Sequence, residues 1–420
     1  MPGLTAALWH GGAALAAPGL RVMLRRRVAA GKEVAARLPE REGIDETPRP
    51  AGRLVWLHAA SVGESQSILP LLAALRAQAP DAALLVTTGT VTSATLLAER
   101  LPAMGLRDVL HRFAPLDVPA WVARFLDHWR PDVAGFVESE LWPNLLAACR
   151  SRGVPTALVN ARMSERSLRG WMRAPGLARD MLAGFDLVQP QSAGDADRLR
   201  PLGARTVGAP GNLKLAAPPL PHDPAELARL QAALRGRPVW LAASTHPGEE
   251  EVAAVVHRRL APGHPGLLTI VAPRHPDRGA GVAGRLGAPR RSVGQDPGPD
   301  FWVADTLGEL GLLYRLAPLV FVGRSLVGRG GQNPLEPARL GCAVAVGLHT
   351  ANFAEAVALL AAAGGLATVA DADALGAWVD GMLHDPARRA AAGQAGRAAA
   401  QGEPGLPDRV AAGLLALVRA

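Results

Sequence analysis

The residues Ser325–Glu336 read S-L-V-G-R-G-G-Q-N-P-L-E and join paired glycines to an acidic residue. The apolar run Leu319-Val320-Phe321-Val322 precedes them, so a strand feeds a glycine-rich loop that opens a helix near Pro334. Glycines let backbone N–H groups approach an anion closely, and a helix N-terminus adds roughly half a positive charge. Glu336, in the first turn, could accept hydrogen bonds from sugar hydroxyls. Phosphate and sugar handled by one element point to a sugar-nucleotide site. The plain alternative is a turn and nothing more.

Two acidic segments follow apolar runs earlier in the chain. Ser61-Val62-Gly63-Glu64 comes after Leu54–His58. Gly63 reads as permitting a tight turn, with Glu64 at the helix start beside the strand's C-terminal edge. A carboxylate there could take a proton from an acceptor hydroxyl, or simply complement the helix dipole. Glu138-Ser139-Glu140-Leu141-Trp142-Pro143 repeats the arrangement after Val133–Val137. Glu138 could orient an acceptor or stabilise charge, whereas Glu140 reads more readily as a helix cap.

Lysine is rare here. Of 45 basic residues only Lys32 and Lys214 are lysines, leaving 43 arginines. Lys214, in Gly211-Asn212-Leu213-Lys214, is thus a position where a compact ammonium serves and a wide guanidinium does not, or a chance survivor. In the second half, Ala243-Ser244-Thr245-His246 ends an apolar run and offers hydroxyls and N–H groups suited to phosphate. Pro273-Arg274-His275-Pro276-Asp277-Arg278 ends another, and an arginine there can clamp a phosphate or carboxylate bidentately. His246 and His275 lack metal-ligand spacing, so no zinc site is expected. No P-loop, G-x-S-x-G or kinase signature occurs.

These segments need a scaffold that delivers them to strand ends. Expected strands are Leu54–His58, Ala82–Thr88, Val133–Val137 and Thr156–Asn160, with helices Gln66–Ala79, Val91–Arg100, Asp117–Trp129 and Leu141–Arg150. A second alternation runs through Val239–Ala243, Glu249–Leu260, Leu267–Ala272, Leu307–Leu316, Leu319–Val322, Pro334–Leu340 and Ala343–Val346. Alanine-rich helices, including Ala390–Ala400, close the chain. Strand–helix alternation argues for parallel sheets covered on both faces, an α/β class with ligands at the strands' C-terminal ends. Between the two halves, Ala216–Pro224 carries four prolines in nine residues and reads as a linker. At 420 residues, two doubly wound domains facing across a cleft are expected. The expected boundaries are 31–215 for the first domain, 216–224 for the linker and 225–420 for the second.

The net charge of +8 accompanies no aromatic-basic interleaving, so nucleic acid is not an expected partner, while phosphorylated lipids, nucleotides and a membrane face are. Two cysteines, Cys149 and Cys342, give no disulfide framework and fit a reducing compartment. Residues 1–30 read as a membrane anchor. Leu4–Met23 is mostly apolar but interrupted, and Arg25-Arg26-Arg27 follow at once, which suits a spanning or an interfacial helix with its basic end on the cytoplasmic side.

Taken together, the motifs resemble the 3-deoxy-D-manno-octulosonic acid (Kdo) transferases of lipopolysaccharide assembly. They are W-L-H-A-A-S-V-G-E-S from Trp56, E-S-E-L-W-P-N-L from Glu138, N-A-R-M-S-E-R-S from Asn160 and G-N-L-K from Gly211. A-S-T-H-P-G-E-E from Ala243, P-R-H-P-D-R from Pro273, G-E-L-G-L-L-Y from Gly308, G-G-Q-N-P-L-E-P-A from Gly330 and A-N-F at Ala351 complete them, in unbroken order. The resemblance implies a GT-B glycosyltransferase that moves Kdo from CMP-Kdo to a phosphorylated lipid A precursor at the cytoplasmic face of the inner membrane. It implies an inverting reaction with Glu64 as general base and with Glu138 and Lys214 at positions of transition-state stabilisation. Pro273-Arg274, Leu307-Gly308-Glu309 and Asn333-Pro334-Leu335-Glu336 match the CMP-binding segments. The resemblance implies no cofactor and no metal for nucleotide binding.

Three positions depart from the family pattern: Arg324 stands at a usual glycine, Gln332 at the histidine of G-G-H-N, and Leu348 at the proline of G-P-H. Gln332 can donate a hydrogen bond but cannot titrate. The rival readings are a nucleotide-sugar epimerase or UDP-dependent transferase of the same fold, and a non-catalytic membrane scaffold.

Overall fold

Apolar runs buried on both faces form parallel strands. The computed structural model describes residues 4–216, 219–327, 330–403 and 405–418, so Ala217 and Pro218 of the expected linker and Gly328 and Arg329 of the glycine-rich loop lie outside the described residues. The first sheet contains β1 (Leu54–Ala59), β2 (Ala83–Thr88), β3 (Leu110–Phe113), β4 (Val133–Val137), β5 (Thr156–Ala161) and β6 (Leu187–Pro190). Their order is β3-β2-β1-β4-β5-β6, with every pair parallel. The second contains β7 (Val239–Thr245), β8 (Leu268–Pro273), β9 (Phe301–Val303), β10 (Leu319–Val322), β11 (Ala343–Val346) and β12 (Leu366–Thr368), in the order β12-β11-β10-β7-β8-β9.

Each sheet reverses direction of growth once, between β1 and β4 and between β7 and β10. Loops leaving such a pair diverge to opposite faces and open a crevice at the strands' C-terminal ends. Glu64 and Glu138 leave β1 and β4. His246 and Arg324 leave β7 and β10.

The chain forms two compact units, residues 1–217 with 402–420, and residues 218–401. The sequence reading carried the second domain to residue 420, whereas the structure returns the last helix, Leu406–Leu417, to the first unit. Its Leu406, Val410, Ala411 and Leu414 are buried in one core with Leu57, Leu71 and Val137. Gln78 Nε2 donates to the Asp408 carbonyl at 3.0 Å, and Gly402 N to the Leu215 carbonyl at 3.1 Å. An apolar stripe near the end of the chain finds its partner far away in sequence, which a pass along the chain does not reveal. On the opposite face of β1, Trp56 packs against Phe125 and Phe136 with centroids 4.9 and 5.3 Å away, and its Nε1 donates to Thr87 Oγ1 at 2.8 Å.

The helix Leu4–Ala29 is one continuous element, but no described helix is long and apolar enough to cross a membrane. The spanning alternative for residues 1–30 is therefore set aside. Trp9 Nε1 donates to Asp117 Oδ2 at 2.8 Å, Arg21 is bonded to Glu42 at 2.7 Å, and Leu24 is buried with Val118 and Trp121. These polar and apolar contacts bind the helix to the first unit. Leu8, Trp9, Leu15, Val22 and Met23 stay exposed.

Arg41 fastens the strand ends near Glu64. It is buried, forms an ion pair with buried Glu33 at 3.1 Å, and donates to the carbonyls of Thr88, the last residue of β2, and of Gly89 and Ala114, which follow β2 and β3. Removing one partner of a buried pair leaves an uncompensated charge. Arg41→Met is expected to destabilise the protein by about 3 kcal/mol, the low end for such a pair because Arg27 also bonds Glu33. Denaturant unfolding checks this, and a loss below about 1 kcal/mol would contradict the role given to the pair.

Candidate active site

In the first unit a cavity of about 450 Å³ opens where β1 and β4 end. Its polar lining includes His58, Ser61, Glu64 and Glu140, its apolar lining Met23, Leu24, Leu116, Trp142 and Leu145, and Arg27 and Arg41 contribute the cations. Glu64 occupies the first turn of the helix Val62–Ser67, whose N-cap is Ser61. The Ser61 hydroxyl donates to Glu64 Oε1 at 2.8 Å and Ala60 N donates to Oε2 at 2.8 Å. The carboxylate is thereby fixed in one orientation at the cavity wall.

Burial, the Glu140 carboxylate and, less strongly, Glu138 push the Glu64 carboxyl above the usual range, against the pull of Ser61 and Ala60. A base with raised affinity for a proton is better matched to neutral pH. Gly63 plays a different part from the expected one. It lies within the helix, and a methyl group there would meet nothing within 4 Å, so the turn does not require glycine.

Glu138 follows β4 with φ 60°, a left-handed conformation uncommon outside glycine. Its Oε1 lies 2.6 Å from Lys214 Nζ, so two residues singled out separately in the sequence form one ion pair. Lys214 is placed by amides. Asn212 Oδ1 accepts from Lys214 N at 2.9 Å, Asn160 Oδ1 accepts from Leu213 N at 2.9 Å, and Gln189 donates to the Gly211 carbonyl at 2.7 Å.

The second unit departs from the expected anion loop. Glu249, wholly buried, accepts from the N–H groups of His246, Arg324, Ser325 and Leu326 at 2.7–3.0 Å. The described N–H groups at the start of the glycine-rich loop are therefore taken up by protein, and Gly331 N bonds the Arg324 carbonyl at 3.0 Å. Gly323 is required at this crossing, since a Cβ would lie 2.6 Å from the Ser244 carbonyl and 2.7 Å from Glu249 Oε2.

Pro273 ends β8, and the side chain of Arg274 beyond it is exposed. Leu307 is exposed, Gly308 has φ 80°, and Glu309 is held by Arg291 at 2.5 Å and by Thr306. Those bonds, the Arg291 one foremost, keep the Glu309 carboxyl below its ordinary range. Asn333 Nδ2 donates to Glu336 Oε1 at 3.3 Å, and its Oδ1 accepts from Leu335 N at 3.1 Å, with Pro334 as N-cap of the helix Leu335–Arg339. Gln332 Nε2 lies 3.4 Å from His246 Nε2. Burial first, then the Arg324 charge, lowers the proton affinity of His246, which suits a neutral ring accepting from the amide.

The family model described as 3-deoxy-D-manno-octulosonic-acid transferase (kdotransferase) matches residues 36–217. The 3-deoxy-D-manno-octulosonic acid transferase of Bordetella pertussis is 38% identical over 90% of this chain and 90% of its own length. That of Haemophilus influenzae is 35% identical over 86% of each. The chain belongs to the 3-deoxy-D-manno-octulosonic acid transferase family. The transferase also shares its fold with the crystal structure of Acinetobacter baumannii MurG, at 12% identity, 87% coverage of this chain, 100% of that chain and a TM-score of 0.54. Both sheets are thus those of a GT-B-like fold.

Sequence reasoning passed over several residues that shape the site. His58 Nδ1 lies 3.0 Å from Thr87 Oγ1 and its Nε2 3.3 Å from Glu140 Oε2, to which Trp142 Nε1 also donates at 2.5 Å. A histidine in an otherwise apolar strand was the available signal. Arg41, one arginine among 43, gave none. Elsewhere, His264, Asp380 and His384 bring ligand atoms within 4.8 Å of one another. His264 Nε2 lies 2.8 Å from Asp380 Oδ1 and His384 Nδ1 3.0 Å from the Asp380 carbonyl, so hydrogen bonds join the three residues.

Arg324 has φ 57°. A glycine suits such a backbone, and a side chain there carries strain. Arg324→Gly is expected to stabilise the transferase by about 1 kcal/mol in denaturant unfolding. A loss of stability would show that the arginine side chain makes a contact that outweighs the strain.

Proposed function

We propose that Glu64 is the general base of a single inverting displacement in this glycosyltransferase, which moves Kdo from CMP-Kdo to a lipid A precursor. The Glu64 carboxylate takes the proton of the acceptor's sugar hydroxyl as its oxygen attacks the anomeric carbon of Kdo. The bond from that carbon to the phosphate oxygen breaks, and CMP leaves with the electron pair. The observation that carries this reading is Glu64 itself, a buried carboxylate held by Ala60 N and Ser61 Oγ yet lining a cavity.

Lys214, fixed by Glu138, supplies positive charge to an anionic donor, and Glu138 keeps that ammonium in place. CMP is taken by the second unit, with Arg274 on its phosphate and Asn333 and Glu336 on its sugar and base. Leu307, Gly308 and Glu309 form a further side of that site. The start of the glycine-rich loop contributes shape rather than N–H donors, because Glu249 takes those donors.

The lipid acceptor is reached from the inner-membrane surface, on its cytoplasmic face. The helix Leu4–Ala29 supports this reading. It exposes Leu8, Trp9, Leu15 and Val22 beside exposed Arg25 and Arg26, while its Met23, Leu24 and Arg27 line the Glu64 cavity. An interfacial helix with a basic end suits an anionic lipid surface. One element thus meets both the membrane and the acceptor's apolar part.

Glu64→Gln is expected to lower the transfer rate by about 10²–10⁴-fold while CMP affinity stays unchanged. Arg274→Ala is expected to weaken CMP binding about tenfold or more, the loss of a charge-assisted hydrogen bond. Calorimetric titration with CMP and UDP checks the second arm, and tight UDP binding would favour a UDP-dependent enzyme. Retained transfer by Glu64→Gln would remove it as the base.

A further inference from the structure

Glu140 was legible in the sequence only as a cap, and neither the base nor the Glu138–Lys214 pair explains it. The next helix, Pro143–Ser151, has Trp142 as its N-cap, with no side-chain bond to the helix start. Glu140 instead turns back to the cavity that Glu64 lines. There its Oε2 receives two donors, Trp142 Nε1 at 2.5 Å and His58 Nε2 at 3.3 Å. His58 is itself buried and fixed through Nδ1 by Thr87 Oγ1 at 3.0 Å.

We infer that Glu140 is a positioning residue, an anion held in the cavity wall by His58 and Trp142 that strengthens Glu64 as a base. Two carboxylates around one small cavity resist ionising together, and the better-bonded one keeps its charge. Glu140 has that advantage. Burial raises its proton affinity, but the bond and charge of His58 and the bond of Trp142 outweigh it and leave the carboxyl below its ordinary range. Glu64 moves the other way, through burial and then through Glu140. Neighbouring acids whose surroundings drive them apart take separate roles.

The other charges around Glu64 do not substitute for Glu140. Glu138 also acts on Glu64, but less strongly, and its charge is matched by Lys214 on the short turn packed against the Glu64 helix. Arg41 and Arg27 in the cavity wall are both paired with Glu33. Asp117, also in the wall, accepts from Trp9, Asn144 N and Leu145 N. From the helix Val91–Ala103, which also packs against Glu64's helix, no charged residue lines the cavity among the described residues.

The inference rests on the reading of Glu64 as base only for its effect on rate, so the test reads Glu64 directly as well. Full-length protein carrying carboxyl-¹³C glutamate is titrated by NMR, with the Glu64 resonance assigned by its loss in Glu64→Gln. Glu140→Gln, which keeps an acceptor for Trp142, is expected to shift the Glu64 titration to lower pH. Trp142→Phe, which keeps the anion, leaves the Glu64 titration near its wild-type position. An unchanged or raised midpoint in Glu140→Gln overturns the inference, as does an equal shift in Trp142→Phe. In parallel, the acidic limb of the pH profile of kcat for Kdo transfer is expected to follow the NMR midpoint downward in Glu140→Gln. An NMR shift with an acidic limb that stays in place supports the coupling of the two carboxylates and counts against Glu64 as the base.

Discussion

A parallel strand that ends beneath a helix leaves backbone N–H groups needing acceptors, and both sheets meet this constraint with a glutamate near the following helix start. Glu64 accepts from Ala60 N and the Ser61 hydroxyl after β1, and Glu249 accepts from His246 N after β7. The two then diverge. Glu249 also takes the N–H groups of Arg324, Ser325 and Leu326 and is wholly buried, fixing the β7 and β10 loops to each other. Glu64 receives only two donors and keeps its place in the lining of a cavity. The same geometry yields a structural carboxylate in one unit and a candidate base in the other, and the difference is the number of donors each receives.

Rigidity around Glu64 and Lys214 comes from a network of ion-paired and hydrogen-bonded neighbours. Arg41 and Glu33 fix the ends of β2 and β3, and Asn160, Gln189 and Asn212 fix the turn that carries Lys214. Left-handed backbone at Glu138, Asn160, Ser244 and Arg324 turns the chain sharply at strand ends. Such strain persists where surrounding contacts over-determine it, which the bonds at Asn160 and at Arg324 N illustrate.

Central elements were legible because both faces are buried and the apolar runs are continuous: Val133–Val137, Leu319–Val322, Ala343–Val346 and the helix Glu249–Leu260 match their expected limits. Edge strands were not. Leu110–Phe113 is half-buried with two polar residues, and Phe301–Val303 and Leu366–Thr368 have three residues each, too few to show a period. Among candidate site residues, Glu64 and Glu138 were visible from their place after apolar runs, and Lys214 from the arginine bias around it. Their partnerships were not, because Lys214 meets Glu138 only through the sheet. The glycine-rich loop misled in part. Its glycines suggested N–H groups free for an anion, while the acceptor already waiting, Glu249, lay 75 residues away from Arg324. The N-terminal helix misled in a related way, since an apolar run broken by His10 and Arg21 was compatible with spanning until its contacts with Asp117 and Glu42 were seen.

The account stands on transfer to a lipid acceptor. The most direct measurement supplies the full-length protein with labelled Kdo as CMP-Kdo generated in place, together with a tetraacylated, bisphosphorylated lipid A precursor, and weighs the lipid by mass spectrometry. The account predicts a mass gain of one or more Kdo units, and the same experiment counts them. Folded protein that binds CMP and leaves the lipid's mass unchanged would contradict it.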